Sequence, residues 1–178
     1  MESRAKLAGH AIHPMLIVFP LGLLATALIF DIVYLATGNA EFATASFWAI
    51  AAGVIGGLLA ALFGIWDWLH IPADTRAKAV GLWHGGGNVV VVVLFIVAWL
   101  LRLGGRDPAH KPDTLPFILE VIGVLLALVT AWLGGELVER LGVGVDAGAN
   151  LDAPSSLSDR PATASERPPQ VPPEQARP

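Results

Sequence analysis

The sequence contains no cysteine, and only 15% of its 178 residues are charged. Without cysteine the chain has no disulfides, thiolate metal sites or thiol nucleophiles, so any chemistry falls to His, Asp and Glu. The sequence also has no phosphate-binding loop, nucleophile elbow or HExxH zinc motif. With a formal net charge of only −4, it has no basic stretch that would bind nucleic acid. The absence of a catalytic motif favours a redox or binding protein over an enzyme.

Long apolar segments make up more than half of the chain, which is 54% hydrophobic with a mean hydropathy of +0.64. A helix rises 1.5 Å per residue, so about 20 apolar residues cross a hydrocarbon core of about 30 Å. The segments lack the period-two alternation of barrel strands, which leaves helices as the structure that satisfies its own backbone in lipid. We therefore predict an all-α membrane protein, an up-and-down bundle of four transmembrane helices at residues 14–35, 43–66, 75–102 and 115–138.

After Gly142 the composition changes to Pro, Ala, Ser and balanced charge. This stretch has too little apolar surface to offset its chain entropy. The sequence therefore predicts one four-helix transmembrane domain over residues 10–143, followed by a disordered Pro-rich tail over residues 144–178.

Lys and Arg near the helix ends predict the orientation, because positively charged short loops stay in the cytoplasm. The side with both termini has five of these residues: Arg4, Lys6, Arg76, Lys78 and Arg140. The other side has three, all assigned to the loop between the third and fourth helices: Arg102, Arg106 and Lys111. The count predicts that both termini are cytoplasmic.

Polar residues are unevenly distributed between the two ends of the predicted bundle. Because an up-and-down bundle brings alternate helix ends together, the terminal side collects His10, His13, Asp67, His70, His84, Asn88, Glu136, Glu139 and Arg140. The other side offers Asp31, His110 and Glu120, with no comparable group of imidazoles. A functional site is therefore expected on the side of the termini.

His84 and His13 are the strongest candidates within this group. His84 is expected within the hydrocarbon boundary, in a helix capped by Asp74, and polar groups there are costly and usually face the bundle interior. His13 precedes Pro14, which suits a first helical turn. The two histidines are expected at similar depth, facing one another across a shared ligand. Asn88 lies on the same helical face as His84.

Several short motifs together resemble the domain-of-unknown-function family 2231 of predicted bacterial membrane proteins. They are His13-Pro14-Met15, Phe19-Pro20, Asp31, Gly64 to Asp67, His84 to Asn88, Leu133 to Val138 and Gly142 to Val145. The resemblance covers residues 9–146 and implies a small multi-pass protein of the bacterial inner membrane. It also marks His13 and His84 as motif positions, but the family has no established reaction.

The first functional hypothesis is a redox role, with b-type haem held between the first and third helices by His13 and His84, next to Asn88. Neutral imidazoles bind haem iron, and helix bundles form cofactor sites between facing helices. Partners would be the lipid bilayer and a membrane redox protein or a second copy of the chain.

Two alternatives remain open from the sequence. One is a metal or proton site formed by His13, His84, Asp67 and Glu136, since mixed imidazole and carboxylate ligands suit Zn, Fe or Mn. The other is a non-catalytic membrane subunit or scaffold, in which the polar cluster fixes helix packing or docks a partner.

Overall fold

Four helical segments dominate the computed structural model, which describes residues 1–105, 107, 109–158 and 160–164. Each is long and apolar enough to cross a membrane: Ile12–Thr37, Ala40–Leu69, Arg76–Leu103 and Thr114–Arg140. The predicted four-helix membrane architecture is confirmed, and each observed helix includes most of the predicted segment.

The first segment consists of α1 (Ile12–Leu16) and α2 (Val18–Thr37), separated at Ile17. Pro20 has no amide hydrogen to donate to the carbonyl four residues earlier, which is that of Leu16. The other helices are α3 (Ala40–Leu69), α4 (Arg76–Leu103) and α5 (Thr114–Gly135), and a π-helical turn (Glu136–Arg140) extends α5.

Helix α4 begins one residue later than predicted and has a different cap. The Thr75 side chain accepts a hydrogen bond from the amide of Lys78 at 3.1 Å. Asp74, the predicted cap, instead has a left-handed backbone with φ of 58°. A cap residue requires an extended backbone, which Thr75 adopts, so the prediction of Asp74 was wrong.

The helices form two hairpins that pack against each other. The first hairpin comprises α1, α2 and α3, and the second comprises α4 and α5. Their shared core consists of Leu24, Ala27, Ile50, Val91 and Phe95. Large apolar side chains cover the outer surface, as expected for a lipid-facing bundle: among them, Trp83 is 73% exposed and Trp132 is 67% exposed.

A two-stranded sheet that the sequence did not predict precedes α1. Its strands are β1 (Lys6–Leu7) and β2 (His10–Ala11), paired antiparallel. The ammonium of Lys6 binds the carboxylates of Asp146 and Glu2, and these bonds raise its pKa. The chain before α1 is thus tied to residues that follow the last helix.

The predicted disordered tail lies partly outside the described residues, at 159 and 165–178. In the described part, residues 144–158 and 160–164, the chain forms turns without helix or strand. The hydroxyl of Ser156 donates to the carbonyl of Ala8 at 3.2 Å. Disorder of the tail stays a prediction.

Candidate functional site: a histidine pair between the hairpins

The two predicted histidines meet between the hairpins. His13, in α1, and His84, in the third turn of α4, have ring centroids 6.3 Å apart, and their planes are nearly perpendicular at 87°. Both side chains are half-buried. The expectation that they approach one another at similar depth agrees with the structure; that they bind a ligand stays a prediction.

Each imidazole is fixed by its Nδ1 atom. His13 Nδ1 lies 2.8 Å from the carbonyl oxygen of Ala60, and His84 Nδ1 lies 2.8 Å from that of Thr130. A carbonyl oxygen can only accept, so in these bonds Nδ1 carries the hydrogen and Nε2 keeps its lone pair. Histidines that bind a metal through one ring nitrogen usually donate the N–H of the other nitrogen in this way, to a backbone carbonyl or a carboxylate.

A glycine makes room for each ring. A Cβ atom on Gly64 would lie 2.8 Å from His13 Cε1, and one on Gly134 would lie 3.1 Å from His84 Cε1. Each glycine comes four residues after the carbonyl that its histidine uses, one turn along the same helix. The glycines therefore allow the imidazoles to lie directly against α3 and α5.

Asn88 joins His84 to α5. Its amide nitrogen donates to the carbonyl of His84 at 2.9 Å and lies 3.4 Å from His84 Nε2. Its amide oxygen accepts from the hydroxyl of Thr130 at 3.0 Å. Asn88 thus contacts His84, which is itself a candidate metal or haem ligand. Its predicted place beside His84 agrees with the structure.

The two hairpins repeat each other in detail. His13 and His84 are 71 residues apart, and so are Leu24 and Phe95, and Asp31 and Arg102; Ala60 and Thr130, Gly53 and Gly123, and Gly64 and Gly134 are 70 apart. The contacts repeat as well: a Cβ on Gly53 would meet Leu24 at 2.6 Å, and one on Gly123 would meet Phe95 at 2.7 Å. The histidine pair is formed by equivalent residues of the two hairpins.

The carboxylates predicted near the histidines have other partners. Asp67 accepts from the Ser3 hydroxyl at 2.6 Å and from the Arg4 amide at 2.7 Å, which anchors the chain before β1. Glu136 pairs with Arg76 at 2.6 Å. Among the described residues, no group of three or more His, Asp or Glu side chains is placed to hold a metal ion. A metal site with these carboxylates stays a prediction that this geometry does not favour.

At the opposite end of the bundle, buried charged residues form a cluster. Arg102 Nη1 contacts Asp31 Oδ2 at 2.7 Å and Glu120 Oε1 at 2.9 Å, and all three side chains have no solvent exposure. Arg102 was counted as a loop charge although the predicted helix ends at it. That count was wrong, because Arg102 occupies the last turn of α4 and points inward. The sequence analysis placed Asp31 and Glu120 at this end but did not predict that they meet Arg102 in a buried cluster.

Backbone and hydroxyl oxygens complete the coordination of Arg102. Its guanidinium also donates to Ser46 Oγ at 3.2 Å, to the Ala43 carbonyl at 2.9 Å and to the His110 carbonyl at 2.8 Å. The His110 ring stacks on Phe47, with centroids 4.0 Å apart. Buried charges are tolerated in a membrane bundle when they pair in this way.

One sequence signal could have found this cluster. Asp31 follows His13 by eighteen residues, and Arg102 follows His84 by eighteen residues. When the two halves of the sequence are aligned at the histidines, Asp31 is matched with Arg102, a carboxylate with a guanidinium. The repeat was missed because most of its other positions are interchangeable apolar residues.

A comparison with protein families agrees with this architecture. The model of the family DUF2231, described as predicted membrane protein, matches residues 9–147. The chain belongs to this family. The resemblance inferred from short motifs is therefore confirmed. The residues that match the family include both hairpins, the histidine pair and the buried cluster around Arg102. No curated protein and no solved structure matches the chain.

Proposed function

We propose that this DUF2231 protein binds b-type haem between its two hairpins, with His13 and His84 as axial ligands, and that it transfers electrons within the membrane. The observation that supports the proposal best is the histidine pair itself. Two imidazoles approach each other from separate hairpins, and each is oriented through Nδ1, which leaves Nε2 as the atom that would bind iron. At His84, iron would replace the 3.4 Å contact between Nε2 and the Asn88 amide nitrogen.

The spacing of the rings leaves room for one metal atom between them. A metal–nitrogen bond to imidazole is about 2.0 Å long, and the ring centroids lie 6.3 Å apart. His13 and His84 would hold the iron of a haem through their Nε2 atoms, and the haem would supply one-electron redox chemistry.

The second hairpin also offers apolar surface to a cofactor. An apolar groove of about 590 Å³ runs along α4 and α5, and its lining includes Gly86, Gly87 and Thr130. The carbonyl of Thr130 orients His84. The groove therefore provides apolar surface beside the helix that carries His84, and all nine residues that line it belong to the second hairpin.

The proposal is tested by absorption spectra of the protein in mild detergent, purified from cells supplied with a haem precursor. We expect a Soret band that shifts on reduction, and a low-spin electron paramagnetic resonance signal with the large anisotropy of perpendicular imidazole planes. Because the histidines are equivalent in the repeat, His13→Ala and His84→Ala should each remove the low-spin spectrum. The matched control is His70→Ala, at the exposed end of α3, which should leave it unchanged.

Other outcomes would contradict haem binding. A folded wild-type protein without a Soret band, even after titration with haem, would exclude it. Bound transition metal without a Soret band, lost in His13→Ala, would favour the metal site instead. If neither haem nor metal binds, the histidine pair joins the hairpins, as in the scaffold hypothesis.

We also propose the bacterial inner membrane as the location, with both termini in the cytoplasm. Since Arg102 lies inside the bundle, it no longer counts as a loop charge, and Arg106 lies outside the described residues. Five basic residues on the terminal side thus compare with two on the other side, Arg106 and Lys111. A redox protein of the same membrane, or a second copy of this chain, would exchange electrons with the haem.

A further inference from the structure

We infer that the buried cluster of Asp31, Arg102 and Glu120 is a proton-binding site, which holds one exchangeable proton on the Asp31 and Glu120 carboxyl groups. The inference does not depend on haem binding. It rests on the cluster's charge balance, on an unpartnered buried oxygen and on a difference between the two repeats.

The charge balance requires a bound cation. Asp31, Arg102 and Glu120 all have side chains with no solvent exposure. Fully ionised, they carry two negative charges and one positive charge. An uncompensated charge inside a membrane bundle is costly, and a buried carboxylate avoids this cost by binding a proton.

The geometry of the carboxyl groups favours a shared proton. Asp31 and Glu120 both contact the same Arg102 Nη1 atom, at 2.7 Å and 2.9 Å. Two carboxylates at such short range cannot both ionise easily, so one takes up a proton from water. The proton forms an O–H bond on one carboxyl group, which then becomes a hydrogen-bond donor toward the other.

Glu120 Oε2 indicates where the proton binds. Both oxygens of Asp31 accept from Arg102, whereas the buried Oε2 atom of Glu120 accepts no hydrogen bond from any described residue. An anionic oxygen without a donor is the least stabilised of the four. Glu120 is therefore the carboxyl group that carries the proton.

The repeat shows that packing does not require this glutamate. Glu120 corresponds to Ile50, the residue 70 positions earlier, which is also fully buried. An apolar side chain thus fills the equivalent position in the first hairpin. The second hairpin has an ionisable glutamate where the first has an aliphatic isoleucine, so Glu120 adds a titratable group that packing alone does not need.

Groups from every surrounding element face the site. They are Asp31 from α2, Ser46 from α3, Arg102 from α4 and Glu120 from α5, with the His110 carbonyl above Arg102. His110 Nδ1 also lies 3.3 Å from the carbonyl of Arg102. The loop before α5 therefore contacts the cluster directly, through Arg102.

Infrared spectroscopy of the full chain in mild detergent at pH 7 tests the inference. We expect the carbonyl-stretch band of a protonated carboxyl group, shifted in D₂O. Exposed carboxylates contribute no such band, since their usual pKa is about 4 and hydrogen bonds lower it further in Glu2 and Asp107. Glu120→Gln should remove the band, whereas Glu41→Gln, a matched change at an exposed position, should not.

Two further measurements keep the test decisive. If Glu120→Gln does not fold, Asp31→Asn should also remove the band, because one carboxylate then balances Arg102. Absence of the band in the folded wild-type protein, or its persistence in both variants, would overturn the inference. A band that appears only when choline replaces sodium would identify a metal-cation site and would likewise overturn it.

Discussion

Replacing Arg102 with methionine is expected to lower the free energy of unfolding by about 3–5 kcal/mol, because it leaves buried carboxyl groups without their cation. Arg102 makes six hydrogen bonds to groups on α2, α3, α5 and the loop before α5. Unfolding in mixed micelles at increasing SDS concentration measures the change. The loss should be larger at alkaline pH, where the remaining carboxyl groups keep protons less readily.

The control and the rescue separate lost charge from lost packing. Arg76→Met removes an exposed pair with Glu136, which is worth only about 0–1 kcal/mol. Combining Arg102→Met with Asp31→Asn and Glu120→Gln should recover most of the stability. If Arg102→Met is as mild as Arg76→Met, the buried cluster does not hold the bundle together as described.

Gly87→Val is expected to destabilise the bundle by about 1–3 kcal/mol through overpacking between α4 and α5. A Cβ atom at this position would lie 2.5 Å from Thr130 Cγ2, well inside van der Waals contact. Thr130 also orients His84 through its carbonyl and holds Asn88 through its hydroxyl. The substitution should therefore lower the SDS midpoint and weaken any ligand binding at the histidine pair.

The adjacent residue provides a matched control. Gly86 is exposed, and a Cβ atom there meets nothing within 4 Å. Gly86→Val introduces the same side chain into the same helix, so it has the same effect on helix propensity. Equal midpoints for the two variants would mean that α4 and α5 do not pack as closely as described.

The sequence predicted the membrane spans well because hydrophobic length is a local property. It also predicted that His13 and His84 approach each other, since an even number of crossings returns the relevant helix ends to one side. The acceptor carbonyls of Ala60 and Thr130 could not be predicted, because every residue has a carbonyl and only packing selects one. The prediction for Arg102 failed because charge at a helix end indicates a loop unless its partners are known.

The carboxylates illustrate the same limit. Asp67 was expected near the histidines from its position at the end of α3, but hydrogen bonds to Ser3 and Arg4 occupy it instead. Ser3 and Arg4 lie just before β1, and strands of two residues are too short to give a sequence pattern. Sequence position therefore predicts the end of the bundle where a side chain lies better than it predicts the partner.

Because the two hairpins are repeats, the salt bridge between Asp31 and Arg102 also affects which hairpins can pair with each other. Equivalent residues meet between the hairpins, so two copies of the first half would place Asp31 against Asp31, and two copies of the second would place Arg102 against Arg102. Both self-pairings bury like charges, and only the mixed pair attracts. The ion pair therefore makes the pairing of hairpins selective. Pairing of two identical hairpins is disfavoured, and pairing of the first hairpin with the second hairpin of the same chain is favoured.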